Sequence, residues 1–256
     1  MIRLVEAGWV EDRLRSAGFR LVDPRRPVAY LQGHLPSAIN VPVARAFDAE
    51  GRLLPDEQLA NWLGESGLPS AGSVVLYDDG DGQSGAMLAW ILAYLGHEDV
   101  GFLTAPLCAW RAAGREVRYR PVPADPAPFA ARPRAELRAT WKDVVAGQAN
   151  LIDTRSPEEY QEQHVPGAVN IPWREFVGSE GQLLRPAAEV HELLSSAGVS
   201  PGRRTIAYCQ TGPRAAVAFM AMGEVGFPVS LYDGSFADWS RRPGLPVEQA
   251  RPLHHR

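Results

Sequence analysis

Short apolar runs alternate along the chain with stretches in which apolar residues recur every three or four positions, most clearly in its second half. Residues 141–148 have helical spacing, residues 150–153 form a short apolar strand, and residues 168–171 read as a second strand. Val190, Leu193 and Leu194 share one face of a helix over 187–197, and Gly198 stands where helices commonly end. A strand over 204–208, a helix over 214–225, a strand over 230–232 and a helix over 236–241 complete the series. Such alternation predicts an α/β fold, a mostly parallel central sheet flanked by helices. In sheets of this kind, chemistry gathers at the carboxyl ends of the strands.

The same pattern occurs twice. Leu21-Val22-Asp23-Pro24-Arg25 matches Leu151-Ile152-Asp153-Thr154-Arg155, and the match runs on through Tyr30 and Tyr160, His34 and His164, Pro36 and Pro166, Asn40 and Asn170, and Pro42 and Pro172, always 130 positions apart. Gly51-x-Leu53-Leu54 recurs as Gly181-x-Leu183-Leu184 in that register. A unit this long indicates two similar domains and not a solenoid. Between them, Pro121, Pro123, Pro126, Pro128 and Pro133 exclude helix interiors and favour extended polyproline II geometry. The predicted domains are residues 1–124 and 125–256.

Composition narrows the function. With 256 residues the chain can bury a sizeable core as one or two domains, and 45% hydrophobic with 22% charged residues is ordinary for a globular protein. The net charge of −4 provides no basic field for nucleic acid or an anionic membrane surface. No apolar run approaches the roughly 18 residues of a membrane span, and the first residues lack the apolar core and cleavage site of a secretory signal. Two cysteines, Cys108 and Cys209, make no disulfide framework, so a reduced, cytoplasmic setting is expected. Cys108, in an apolar helical stretch beside Trp110, reads as core.

Cys209 reads differently. The apolar strand runs straight into it, and a strong helical pattern opens a few residues on, at Arg214, with Pro213 suited to the first turn. A thiol there lies in a tight loop above a helix N-terminus, where backbone N–H groups and the helix dipole favour an anion. Arg214 adds a fixed positive charge. These features favour the nucleophilic thiolate. Protein tyrosine phosphatases separate their cysteine and arginine by five residues; here four intervene, a ring better sized for an added sulfur atom than for a phosphate monoester. No clustered His, Cys and Asp spacing suggests a metal site, and Leu253-His254-His255-Arg256 is too short and irregular to make one.

These residues resemble the rhodanese superfamily, specifically its tandem-domain sulfurtransferases, over nearly the whole chain. Three stretches are similar to its signatures, in order: Asp153-x-Arg155-Ser156-Pro157-x-Glu159-Tyr160 with His164 to Pro172; Tyr208-Cys209-Gln210-Thr211-Gly212-Pro213-Arg214; and Gly234-Ser235-Phe236-x-x-Trp239. The resemblance implies two tandem rhodanese-like domains, the first catalytically silent and shaping the cleft. Asp78 indeed stands where Cys209 does in the repeat, in an acidic loop, Asp78 to Gly82, that reads as a solvated glycine-rich turn.

The expected chemistry is sulfur transfer through a Cys209 persulfide, from a small sulfur-anion donor, thiosulfate, to cyanide or a thiol, without organic cofactor or metal. Gln210, Thr211, Gly212, Arg214 and Arg155 are the expected substrate-binding residues and Asp153 a structural support. His34 and Asp23 repeat His164 and Asp153 in the silent half, which argues for structure at both positions. Gln210-Thr211 resembles the loop of some bacterial thiosulfate sulfurtransferases, whereas Glu159 departs from an arginine that those families place there to hold the donor's anionic group. The alternatives are a 3-mercaptopyruvate sulfurtransferase and a non-enzymatic redox-sensing module, with phosphatase or arsenate reductase chemistry behind them.

Overall fold

The computed structural model describes residues 2–179 and 182–249. Gly181 of the repeat and the trailing 253–256 segment lie outside the described residues. The chain divides into two compact units: Met1–Ala135 with Val177–Arg185, and Glu136–Phe176 with Pro186–Arg256.

The first unit runs β1 (Arg3–Val5), α1 (Ala7–Glu11), β2 (Phe19–Asp23), α2 (Pro27–Leu31), β3 (Ile39–Asn40), α3 (Asp56–Glu65), β4 (Ser73–Leu76), α4 (Gln83–Tyr94), β5 (Val100–Leu103) and α5 (Leu107–Ala112). Its strands pair in parallel in the order β1-β5-β4-β2-β3. The second runs α6 (Trp141–Val145), β6 (Asn150–Asp153), α7 (Pro157–Glu162), β7 (Val169–Asn170), α8 (Ala187–Ser196), β8 (Thr205–Tyr208), α9 (Pro213–Glu224), β9 (Val229–Leu231) and α10 (Ser235–Trp239). Its sheet is parallel too, in the order β7-β6-β8-β9. Only a parallel bridge between Arg138 and Leu231 stands where a counterpart of β1 would lie.

The repeat extends to individual hydrogen bonds. Asn40 Nδ2 donates to the carbonyls of Asp23 and Arg25, and Asn170 Nδ2 donates to those of Asp153 and Arg155. Tyr30 donates to the Ala38 carbonyl and stacks on His34; Tyr160 donates to that of Ala168 and stacks on His164. His164 is buried, with Nδ1 2.8 Å from the Tyr160 carbonyl. It ties α7 to the chain that follows, whereas the ring nitrogens of His34 face the carbonyls of Leu35 and Arg120.

The proline-rich segment is extended and lies on the first unit. Ala127 N–H donates to the Gly64 carbonyl, and Arg132 and Arg134 N–H donate to those of Leu95 and Tyr94. A β-carbon at Gly64 would stand 2.6 Å from the Ala127 carbonyl, so only glycine admits this approach.

Cys108 corrects the expectation of a core residue: it is exposed. On α5 the buried Leu107 and Trp110 are three positions apart and share the inner face, which turns Cys108 outward. In the second unit β8 is central, with all four residues buried, and Ile206 and Tyr208 pack with Val165, Tyr232, Phe236 and Trp239. That core fixes the strand end at which Cys209 sits. Among the described residues no helix is long and apolar enough to cross a membrane.

Candidate active site

Cys209 follows β8 directly and is 1% exposed. Three residues later Gly212 takes φ 109° and ψ −49° as N-cap of α9, a left-handed turn open to glycine, and Pro213 begins the helix. This turn brings the Gly212 N–H to 3.0 Å from Cys209 Sγ. The twelve-residue α9 adds its dipole, favourable to negative charge on sulfur. The strand end is held from the other side. Cys209 N–H donates to Ser235 Oγ, and Phe236 and Ala237 N–H donate to the carbonyls of Cys209 and Gln210. Ser235, at φ 54°, is fully buried and its hydroxyl donates to the Tyr232 carbonyl. Ser235 and Phe236 belong to the Gly234–Trp239 stretch singled out in the sequence, but their pairing with Cys209 spans 26 and 27 positions and is a tertiary contact.

The expected loop residues do not all converge on the sulfur. Gly212 donates to it, Gln210 is half-buried and contributes a carbonyl to the tie just described, and Thr211 is exposed at the apex. Arg214 sits in the first turn of α9 and forms a two-pronged pair with Glu159, Nη1 to Oε2 at 2.6 Å and Nη2 to Oε1 at 2.9 Å. That bonding holds the Glu159 carboxyl down at about 2 and raises Arg214, to which Cys209 also contributes. Glu159 is itself fixed as the third residue of a capping box at α7: its N–H donates to Ser156 Oγ, and its carboxylate accepts the Ser156 N–H at 3.0 Å. The signal Ser-Pro-Glu-Glu was present in the sequence as a helix start, and α7 is the helix that the hydrophobic pattern missed.

Asp153 and Arg155 form a buried brace beneath the loop. Arg155 Nε and Nη2 bond the Asp153 carboxylate, Nη2 also donates to the Gln163 carbonyl, and the guanidinium lies 4.0 Å from the Phe236 ring centre. The Tyr208 hydroxyl accepts the Val165 N–H, and burial, then the Asp153 charge, raise it well above the usual tyrosine range. Asp153 thus ties the ends of β6 and β8 together.

The first unit repeats this brace with Asp23, Arg25 and Tyr77 but not the site above it. Five positions separate Asp78 from the start of α4, against four from Cys209 to Pro213. Asp79, Gly80 and Asp81 are solvated, as a glycine-rich turn should be, but Asp78 is 4% exposed. Its carboxylate accepts the N–H groups of Asp79 and Gly85, and burial pushes it up to about 6. Asp79 takes Nη1 of Arg25 at 3.0 Å; at the matching place in the second unit stands the uncharged Gln210. Among the described residues no group of three or more His, Cys, Asp or Glu side chains is placed to hold a metal ion.

The model of the Rhodanese-like domain matches the chain twice, over residues 6–113 and 136–242. A thiosulfate sulfurtransferase from Corynebacterium glutamicum is 31% identical, covering 96% of this chain and 90% of its own length. One from Azotobacter vinelandii is 30% identical, with 96% of both chains covered. Among solved structures, SseA from Escherichia coli, described as a 3-mercaptopyruvate sulfotransferase, matches with a TM-score of 0.84 at 27% identity, over 92% of this chain and 99% of that one. An anaerobic ergothioneine biosynthesis enzyme from Chlorobium limicola matches at 0.87 and 25% identity, over 98% of this chain and 71% of that one.

Proposed function

Because the chain belongs to the rhodanese sulfurtransferases, with two copies of the domain, we propose that it moves a sulfane sulfur from thiosulfate to a small nucleophile through a persulfide on Cys209. The observation that carries this reading is the Gly212 N–H aimed at Cys209 Sγ, 3.0 Å away, at the head of α9. A donor so placed stabilises negative charge on sulfur and is preorganised for it.

In the first half-reaction the Cys209 thiolate attacks the outer sulfur of thiosulfate. A new sulfur–sulfur bond forms, the old one breaks, and sulfite leaves with its electron pair. Cys209 then carries a terminal, negatively charged sulfur next to α9 and Arg214. In the second half-reaction cyanide, or a thiolate, attacks that terminal sulfur and restores the Cys209 thiolate. Charge balances in both steps, and the sequence is a double displacement that gives ping-pong kinetics. The chemistry uses the chain's own thiol, amide and guanidinium groups. Asp153 and Arg155 act from below: their ion pair locks the strand ends that aim the loop. The first unit takes no covalent part, since a carboxylate, Asp78, stands where the thiol would be.

The likeness to SseA favours 3-mercaptopyruvate as the second donor to be tried. Purified protein is assayed with each donor and cyanide, alongside Cys209→Ser. Expected are parallel double-reciprocal lines with thiosulfate and loss of thiocyanate formation in the variant. Retained sulfur transfer by Cys209→Ser overturns the proposal, and turnover with 3-mercaptopyruvate alone transfers it to that donor.

A further inference from the structure

We propose that Glu159 is a specificity-determining positioning residue: by clamping and neutralising Arg214 it sets how much positive charge an incoming sulfur donor meets. The inference rests on the persulfide reading above and concerns which donor anion the site prefers.

The clamp is built from three linked pieces. The capping box at α7 fixes the Glu159 carboxylate against the Ser156 N–H. That carboxylate grips both terminal nitrogens of Arg214. Arg214 in turn stands in the first turn of α9, close enough to Cys209 for each to feel the other's charge. A two-pronged guanidinium–carboxylate pair is directional as well as strong, so it dictates where the guanidinium lies.

The two units provide an internal comparison. Position 159 corresponds to Ala29 on α2, and position 214 to Ser84 on α4. Both partners are therefore missing from the unit whose loop carries Asp78 in place of a cysteine, and so is the cap: Arg26 precedes α2 with no side-chain bond to it. By contrast the buried Asp–Arg–Tyr brace is kept in both units. The brace goes with the fold; the clamp goes with the thiol.

Charge accounting gives the consequence. Asp153 balances Arg155, and Glu159 balances Arg214. The guanidinium of Arg214 is thus an oriented hydrogen-bond donor with little net field. Glu159 stays ionised at any ordinary assay pH, because Arg214 holds its carboxyl at about 2. A dianion such as thiosulfate loses more from that neutralisation than a monoanion such as 3-mercaptopyruvate. Removing one negative charge several ångströms away strengthens binding of the dianion by about three- to tenfold at a partly exposed site, and of the monoanion by about two- to threefold.

Glu159→Gln tests this, because glutamine keeps the capping box and the side-chain shape while losing the charge. Steady-state kcat and KM are measured for thiosulfate and for 3-mercaptopyruvate, with cyanide as acceptor, in wild type, Glu159→Gln and Glu159→Ala. Expected in Glu159→Gln is a KM for thiosulfate about three- to tenfold lower, with a smaller change for 3-mercaptopyruvate, so that the donor ratio moves toward the dianion. Glutamine offers one accepting oxygen where the carboxylate offers two, so it keeps half of the fork; Glu159→Ala releases Arg214 entirely, and its kcat falls for both donors. Wild-type turnover with an unchanged donor ratio in both variants overturns the role of Glu159 and leaves the persulfide reading standing. Absence of turnover by the wild type with either donor overturns both.

Discussion

At the scale of single residues, the site depends on a few groups whose positions are set by bonds from distant parts of the chain. Tyr208 is one: its hydroxyl satisfies the buried Val165 N–H and interacts with Asp153. Tyr208→Phe leaves that N–H without its partner, and an unsatisfied buried donor costs about 1–3 kcal/mol. Urea unfolding should show a loss in that range, and an unchanged midpoint would contradict the brace. The setting of Cys209 was legible in the sequence, since an apolar strand, a cysteine, a glycine and a helix start follow one another. The partner of Arg214 was not. Its sequence separation of 55 positions makes the pair a tertiary fact, and only the helix start at Ser156 hinted that Glu159 had a fixed place.

At the scale of elements, the longer pieces were readable and the short ones were not. The hydrophobic pattern placed β6 at the bounds observed and α8, β8 and α9 to within a residue. It missed α7, whose six residues, Pro157 to Glu162, include no buried side chain. What makes that helix is its cap, and the cap also aims Glu159. Ser156→Ala should therefore do two things at once. Loss of the cap costs about 0.5–2 kcal/mol, read as a lowered denaturant midpoint. Loosening of Glu159 shifts the donor ratio in the same direction as Glu159→Gln. A stability loss with no change in donor preference would separate the cap from the clamp. Cys108 illustrates the opposite failure: an apolar neighbourhood in sequence does not say which way a short helix is turned.

At the scale of the whole molecule, duplication explains both what is shared and what differs. The offset of 130 positions was legible from Leu21 to Leu54, and the repeated sheet follows from the duplication. The five-residue loop of the first unit, and Asp78 buried within it, required the structure. Burial raises Asp78 to about 6. An acid raised on folding holds its proton more tightly when folded, so its contribution to stability is present below about pH 4 and is lost as pH rises through 6. The stability of the wild type relative to Asp78→Asn should fall by about 2–4 kcal/mol between about pH 4 and pH 7; a difference independent of pH contradicts this. The longer loop and the absence of an arginine at Ser84 further imply that a cysteine at position 78 does not suffice. The double variant Asp78→Cys with Cys209→Ser should gain no sulfur from thiosulfate.

The central claim is that one thiol carries the transferred sulfur, and intact mass measurement of the protein after brief exposure to thiosulfate tests it most directly. Expected is a gain of one sulfur atom per chain, mapped to Cys209, lost on adding cyanide and absent from Cys209→Ser. Sulfur found on the exposed Cys108, or a wild-type chain that gains only oxygen or nothing, would contradict it.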